Sequence, residues 1–416
     1  MAASRVQIPI GYCTNVHAGT DLRSILQNLR QCALPVRQRL GLSSLGVGLW
    51  FSESAASEML AKSALDSFRD ELGELGLFPY TINGFPQQDF HQKVVKHRVY
   101  EPTWWEPRRL KYTQDLIQLL DSLLPRGVGG SISTLPIAWG GSTPQTCPRD
   151  LELSGAAGNL VAIAEDLHRL YETTGRWIRI ALEPEPGCVF TDHRSMRAYF
   201  ERYLTPPAVS ERAAEMVRRY LSVCHDVCHA AVMGEDQAKE IRTSRALGIR
   251  VGKVQISSAI EVPWSLISRG DRKGVLDQLG QFAEDRYLHQ TVLLNEDGER
   301  RLIEDLPELL RSIEGGVETL DGCREWRIHF HVPIYIEGWG LIRSTRPEVL
   351  ALLDLMQHET DLIDTDAQIE VETYAWGVLP AALRASSLDE GIARELDWLR
   401  GEMASRAIPP MPRLNG

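Results

Sequence analysis

The chain reads as a single closed (β/α)8, or TIM, barrel, and three observations predict it. Eight short apolar runs alternate with amphipathic helical segments, the order that parallel strands with helical crossovers require. The runs are joined by loops rich in Gly, Asn, His or Pro, and no Pro- or Ser-rich linker parts two domains, so one domain over residues 1–416 is expected. Polar and charged residues gather at the carboxyl ends of the runs, the end of such a barrel that carries chemistry.

The first strand is expected over Val6–Tyr12, opening into Cys13-Thr-Asn-Val-His17. The helix after it begins near Asp21 and carries Leu22, Ile25, Leu26 and Leu29 at helical spacing. The second strand, Leu45–Phe51, feeds a helix capped by Ser52 or Ser54, with Met59, Leu60, Leu65, Phe68 and Leu72 on its apolar face. The third, Leu77–Ile82, runs into Asn83-Gly-Phe-Pro86 and a long loop holding His91, His97, Trp104 and Trp105. A helix over 106–124 leads to the fourth strand, Gly130–Leu135, which ends at Pro136 and the loop Ala138-Trp-Gly-Gly141. A helix over 155–173 precedes the fifth strand, Trp177–Glu183, and a helical region over 194–220 precedes the sixth, Leu221–Asp226. The seventh strand is Val251–Ser257, the eighth Gln368–Tyr374, and a helix over 388–405 closes the chain. Residues 259–343 separate the seventh strand from its helix at 346–357. A segment of that length is an insertion, expected on the active face.

Hydrophobic content of 43% and charged content of 24% suit a globular chain able to bury a large core. The net charge of −11 argues against a nucleic-acid or anionic-membrane partner, since both are bound first through a basic face. No apolar run reaches the roughly 18 residues that span a bilayer. The amino terminus lacks a basic segment followed by an apolar core, so a cytoplasmic location is expected. Seven scattered cysteines without a CxxC pair fit reduced thiols.

The stretch Ile180-Ala-Leu-Glu-Pro-Glu-Pro-Gly187 stands out. Pro184 and Pro186 cannot continue a sheet ladder, so Glu183 is the last residue of a buried strand. A carboxylate there needs a cation or hydrogen-bond donors. Glu185, beyond the strand, is expected at the pocket rim. By the same placement Asn15, His17, Asn83, Trp139, His225, Asp226, His229, Lys253, Gln255, Glu370 and Glu372 fall at strand ends whose interiors read as apolar. Within the insertion, Arg327-Ile-His-Phe-His-Val-Pro333 puts His329 and His331 on one face of an extended strand. Glu183, Asp226 and Glu372, completed by Gln255 or by a histidine such as His331, are hard-oxygen and imidazole donors suited to Mn²⁺, Mg²⁺ or Zn²⁺. Glu370, deeper on the same face as Glu372, is expected to support it. Cys224-His-Asp-Val-Cys-His229 lacks a second ligand pair at zinc-finger spacing.

Asp226-Val-Cys-His229 after an apolar strand, with Glu183, Val254-Gln-Ile256 and Glu372 in this order, resembles the xylose-isomerase-like barrel superfamily of sugar isomerases, epimerases and endonuclease-IV-type repair enzymes. That resemblance implies metal on Glu183, Asp226 and Glu372, with His229 beside the substrate. It also departs at one position: the strand-seven ligand, commonly a histidine two residues before the glutamine, is Lys253. His329-Phe-His331 is similar to the Asp-x-His segment of the endonuclease branch, with His329 in place of the acid. More narrowly, Gly11-Tyr-Cys-Thr-Asn-Val-His17, Phe78-Pro-Tyr-Thr-Ile-Asn-Gly-Phe-Pro86, Gly130-Ser-Ile-Ser-Thr-Leu-Pro136 and Val371-Glu-Thr-Tyr-Ala-Trp376 resemble EboE-type metabolite traffic proteins of bacterial ebo gene clusters. Such proteins are associated with handling a secondary-metabolite precursor.

The function implied is a divalent-metal-dependent isomerase or epimerase acting on a sugar, a sugar phosphate or another carbonyl-bearing small metabolite through an enediolate. Glu183 or Glu372 would move the proton, His229 would assist, and Asn15, His17, Asn83, Trp139, Lys253 and His329 would line the substrate. The alternatives are an endonuclease-IV-type phosphoester hydrolase and a non-catalytic metabolite-binding protein, the latter suggested by Lys253.

Overall fold

The computed structural model describes residues 10–408 except 142, 144 and 319. From the amino end come β1 (Gly11–Cys13), β2 (Leu45–Trp50), β3 (Leu77–Asn83), β4 (Gly130–Thr134), β5 (Ile178–Leu182), β6 (Leu221–Asp226) and β7 (Val251–Ile256). The insertion then supplies β8 (Ile260–Val262), β9 (Thr291–Asn295), β10 (Arg300–Ile303), β11 (Cys323–Ile328), β12 (Gly338–Trp339) and β13 (Ile342–Ser344). β14 (Gln368–Val371) returns to the first sheet. β1 to β7 and β14 pair in parallel and close into a barrel in the order β1-β14-β7-β6-β5-β4-β3-β2, so the expected (β/α)8 barrel is observed.

The elements follow their local chemistry. Asp21 caps the helix Leu22–Asn28 in a reciprocal box with Ser24, and Ser52 rather than Ser54 caps Glu53–Met59. The expected single helix after β2 is two, Glu53–Met59 and Lys62–Glu74, because Ala61 turns extended (φ −61°, ψ 125°) between them. The helical region before β6 is likewise broken. His193–Tyr199 and Glu211–Tyr220 are separated at Pro206-Pro207, where the chain cannot keep donating to a helix. Residues 6–9, assigned above to the first strand, lie outside the described residues. β14 stops at Val371. Glu372 adds one more backbone bond, to Ile256, before the chain turns into a short 3-10 helix at Tyr374–Gly377.

The insertion forms a second, antiparallel sheet in the order β10-β9-β11-β8-β13-β12. It has its own core, in which Trp264 stacks on Trp326 (ring centroids 4.9 Å apart) beside Phe282 and Phe330. His329 and His331, expected inside a strand, instead follow the end of β11. The nearby Pro333 ends the ladder, and the segment is held by His329 N–H to Gln290 O and Val332 N–H to Ser258 O.

The barrel interior corrects the expectation of apolar strands. Thr81, Ser131, Ser133, Lys253, Gln255 and Glu370 are all fully buried. Lys253 Nζ lies 2.6 Å from Glu370 Oε1 and 3.0 Å from Ser133 Oγ. Gly48 makes room for this pair: a Cβ there would sit 1.7 Å from Glu370 Oε2. Among the described residues no helix is long and apolar enough to cross a membrane, and every cysteine is unpaired.

Candidate metal centre

Strand register brings the carboxylates together. Glu183 is the first residue past β5, and its N–H still donates to Thr134 O of β4. Asp226 ends β6 and caps the helix Val227–Val232. Its Oδ1 accepts from His229 N–H (2.9 Å) and Ser257 Oγ–H (2.8 Å), which leaves Oδ2 buried without a partner. Glu372 Oε1 accepts from the amides of Asn15 (2.5 Å) and Asn83 (3.2 Å). One oxygen each of Glu183, Asp226 and Glu372 falls within 4.8 Å of the other two, and Glu183 Oε2 is also buried and unpartnered.

Imidazoles face this floor. His331 Nδ1–H donates to the Glu372 carbonyl (2.7 Å), so its Nε2 lone pair, buried and unpartnered, turns inward and groups with Asp226 and His229. His229 Nδ1–H donates to Pro184 O (2.9 Å). His329 Nδ1–H donates to Gln290 Oε1 (2.7 Å), and the amide orientation of Gln290 is set by its Nε2 facing Tyr100 Oη, Glu185 Oε1 and Pro186 O. These assignments follow from the hydrogen-bond network. They leave His229 Nε2 and His329 Nε2 as two lone pairs 3.1 Å apart, an arrangement that calls for a proton or a cation between them.

Burial first, then the charges of Glu372 and Asp226, push the Glu183 carboxyl well above the usual carboxylate range. Glu372 is raised in the same way by burial, then by Asp226 and Glu370. Burial also works against the Asp226 carboxylate, but His229, His331 and the two donors outweigh it and hold that group below its ordinary value. His331 is pushed down to about 4 by burial, and His229 adds to the effect. His329 is lowered well below its ordinary value by burial, then by His229 and His331. Three crowded carboxylates, orphaned inward atoms and inward-turned imidazole nitrogens are the donor set of a divalent cation site. Glu183, Asp226 and Glu372 would hold one ion, Asp226 also groups with His229 and His331, and the lone pairs of His229 and His329 with Glu185 form an adjoining group.

Above this floor lies a pocket with about 580 Å³ of empty space, part of it open to solvent. Asn15, Asn83, Glu183, Glu185, His229, His329, His331 and Glu372 line it. Glu185, expected at the rim, is only 6% exposed and accepts from Tyr100 Oη–H (2.7 Å). The chain doubles back at Gly187 (φ +87°) and Glu185 N–H bonds Phe190 O, which folds the carboxylate inward. Lys253, expected beside substrate, lies beneath the floor on Glu370, which is therefore paired with Lys253 rather than supporting Glu372 by a direct bond. Gln255 lies opposite Asp226 in the strand register, with Oε1 accepting from Cys224 Sγ (3.2 Å). His17 bonds Tyr12 Oη (2.9 Å), and Trp139 packs behind Tyr100 (5.1 Å between rings). Neither is among the pocket-lining residues. Tyr100, Gln290, Phe90, Lys96, Tyr287 and Tyr374 escaped the sequence reading. Most of them belong to the β3 loop or the insertion, and the only sequence signal was the aromatic and histidine content of those long loops.

No family model and no curated protein matches the chain. Among solved structures it is similar to a xylose isomerase-like TIM barrel protein from Mycobacterium smegmatis in complex with magnesium. The two are 11% identical, with a TM-score of 0.51 over 97% of this chain and 98% of that one. It is also similar to the probable 3-DHS dehydratase AsbF of Bacillus anthracis (12% identity, TM-score 0.41, 94% and 99% covered). A third similarity is to an AP endonuclease, family 2, from Brucella melitensis (14%, 0.35, 60% and 79%). Identities this low speak to fold alone: the chain folds as a xylose-isomerase-like (β/α)8 barrel.

Proposed function

We propose that the protein is a divalent-metal-dependent enzyme of the isomerase or epimerase kind, shifting a proton on a carbon next to a substrate carbonyl. One observation carries this reading: Glu183 Oε2, Asp226 Oδ2 and His331 Nε2 are buried and unpartnered around a cluster of three carboxylates. Glu183, Asp226 and Glu372 would hold the ion, with His331 grouped beside Asp226. When bound, it would lower the cost of negative charge on adjacent substrate oxygens. Magnesium in the Mycobacterium smegmatis neighbour is a precedent for a divalent ion on this fold. Glu183, with one oxygen free of donors, takes the proton. Glu372, steadied by Asn15 and Asn83, serves the opposite transfer or holds the ion. His229 lines the pocket and, with its Nε2 3.1 Å from His329 Nε2, assists proton movement there.

The EboE-type relationship belongs to the same proposal. Three of its four strings supply pocket residues: Asn15, then Asn83 with Phe85 and Pro86, then Glu372 with Tyr374. The reading is tested by incubating metal-loaded protein in D₂O with a panel of ketoses and 2-keto acids and following deuterium uptake by NMR. Uptake beside the carbonyl, reduced about a hundredfold or more in Glu183→Gln, is expected for a general base. Exchange that ignores the substitution contradicts the assignment, and tight substrate binding without exchange identifies a binding protein instead.

A second reading, phosphoester hydrolysis, draws on the facing lone pairs of His229 and His329 beside Glu185, which offer a second cation position. Zinc-loaded protein that leaves bis(p-nitrophenyl) phosphate intact would dismiss it.

A further inference from the structure

The cation site accounts for the pocket floor but not for its walls. From the floor upward, His331 meets Tyr374 (ring centroids 4.6 Å apart), Tyr374 meets Tyr287 (5.1 Å) and Tyr287 meets Phe90 (6.4 Å), a continuous aromatic strip. Phe85, Val99 and Leu288 complete an apolar lining. Several polar groups at this level are already engaged, although Asn15 Oδ1 is buried without a partner. Tyr100 donates to Glu185, the amides of Asn15 and Asn83 donate to Glu372, and Lys96 Nζ lies 2.5 Å from Asp305 Oδ2.

A polyol entering such a pocket would lay its outer hydroxyls against the apolar wall, where each finds no partner, a penalty that falls on each group separately. A flat ring would instead meet Tyr374, Tyr287 and Phe90 through a mixture of faces and edges, since Tyr287 stands at 81° to Tyr374 and 44° to Phe90. Orientation is fixed as well, since the only dense set of polar atoms is the floor. We infer that the substrate is a flat ring carrying a carbonyl and an adjacent oxygen at the edge that meets the cation, rather than an open-chain sugar. The inference rests on the metal-site reading above and narrows it.

Catechol and L-erythrulose present the same pair of adjacent oxygens on different bodies, so they separate the two cases. Mn²⁺ binding to the full chain is first measured by electron paramagnetic resonance. The two probes are then titrated anaerobically by calorimetry into the Mn²⁺-loaded protein and its Phe90→Asn variant. Val99→Asn, at a half-buried wall position, is the alternative should Phe90→Asn not fold. Catechol is expected to bind the wild type at least about tenfold tighter than erythrulose. Either wall variant should weaken catechol by about tenfold and erythrulose by less than about twofold, with Mn²⁺ affinity unchanged. Mn²⁺ binding with equal or tighter erythrulose binding, or a wall variant that weakens both probes alike, overturns the inference and leaves the metal site standing. Absence of Mn²⁺ binding removes both.

Discussion

Glu183 and Glu372 are buried beside Asp226 in a space where charge on either is costly, so substituting Glu183 has opposite effects with and without a cation. In metal-free protein Glu183→Gln removes that cost and raises the melting temperature by about a degree, on the order of 1 kcal/mol. In metal-loaded protein the same change removes a ligand and lowers it. Calorimetric melting of both forms checks the reversal, and a shift of one sign in both would argue that Glu183 is only a buried acid. Lys253 and Glu370 obey different logic, because neither side chain touches water. Lys253→Met strands the Glu370 charge and should cost about 3–5 kcal/mol. The double change Lys253→Met, Glu370→Leu should restore most of that in urea unfolding, and an additive double mutant would deny the coupling. Glu183 was legible from sequence because two prolines mark the strand end. Its neighbour Glu185 was not, since the turn at Gly187 that folds it inward is a backbone event two residues away. Lys253 was legible as an oddity but not as half of a pair. Its partner lies on β14, and only the closed barrel places the two strands side by side.

At the scale of elements, the site is tied down from behind by the closing helix, Leu388–Ser405. Glu395 on that helix accepts from Thr373 Oγ1–H (2.7 Å), Trp376 Nε1–H (3.0 Å) and Ile334 N–H (3.1 Å), clasping the segment after Glu372 to the end of the insertion. Burial pushes its carboxyl up to about 7 against those donors. The folded chain therefore binds this proton more tightly than the unfolded chain. The stability it contributes is whole below about pH 4.5 and is lost as pH rises through about 7, by about 3 kcal/mol at most. Unfolding of wild type and Glu395→Gln at pH 5 and pH 8 should show the difference between them changing in that sense, whereas a constant difference refutes it. On β2, Gly48→Ala drives a methyl into the Glu370 carboxylate and should cost about 1–3 kcal/mol, read from the urea midpoint. An unchanged midpoint would show that the ion pair can move aside. The barrel strands were readable because each is a short apolar run with a loop behind it. The insertion's six strands were not, since β8 pairs with β11 and β13 more than sixty residues away and the β9–β10 and β12–β13 hairpins are too short to show a period.

For the whole molecule, two sheets with separate cores meet where the chemistry is placed: the barrel brings carboxylates and the insertion brings His329, His331 and Gln290. The fold class followed from alternation alone, and the ligand set from polar residues at strand ends. The pocket walls required the insertion's path. A cation that binds only the folded chain stabilises it in proportion to the logarithm of its concentration, so metal and stability are linked in this protein. The most direct measurement is titration of chelator-treated protein with Mn²⁺, Mg²⁺ and Zn²⁺, with bound metal counted per chain. At least one ion per chain is expected, its affinity lowered about tenfold or more in folded Glu183→Gln and Asp226→Asn. No stoichiometric ion from any of the three metals, or binding untouched by both substitutions, would contradict the account.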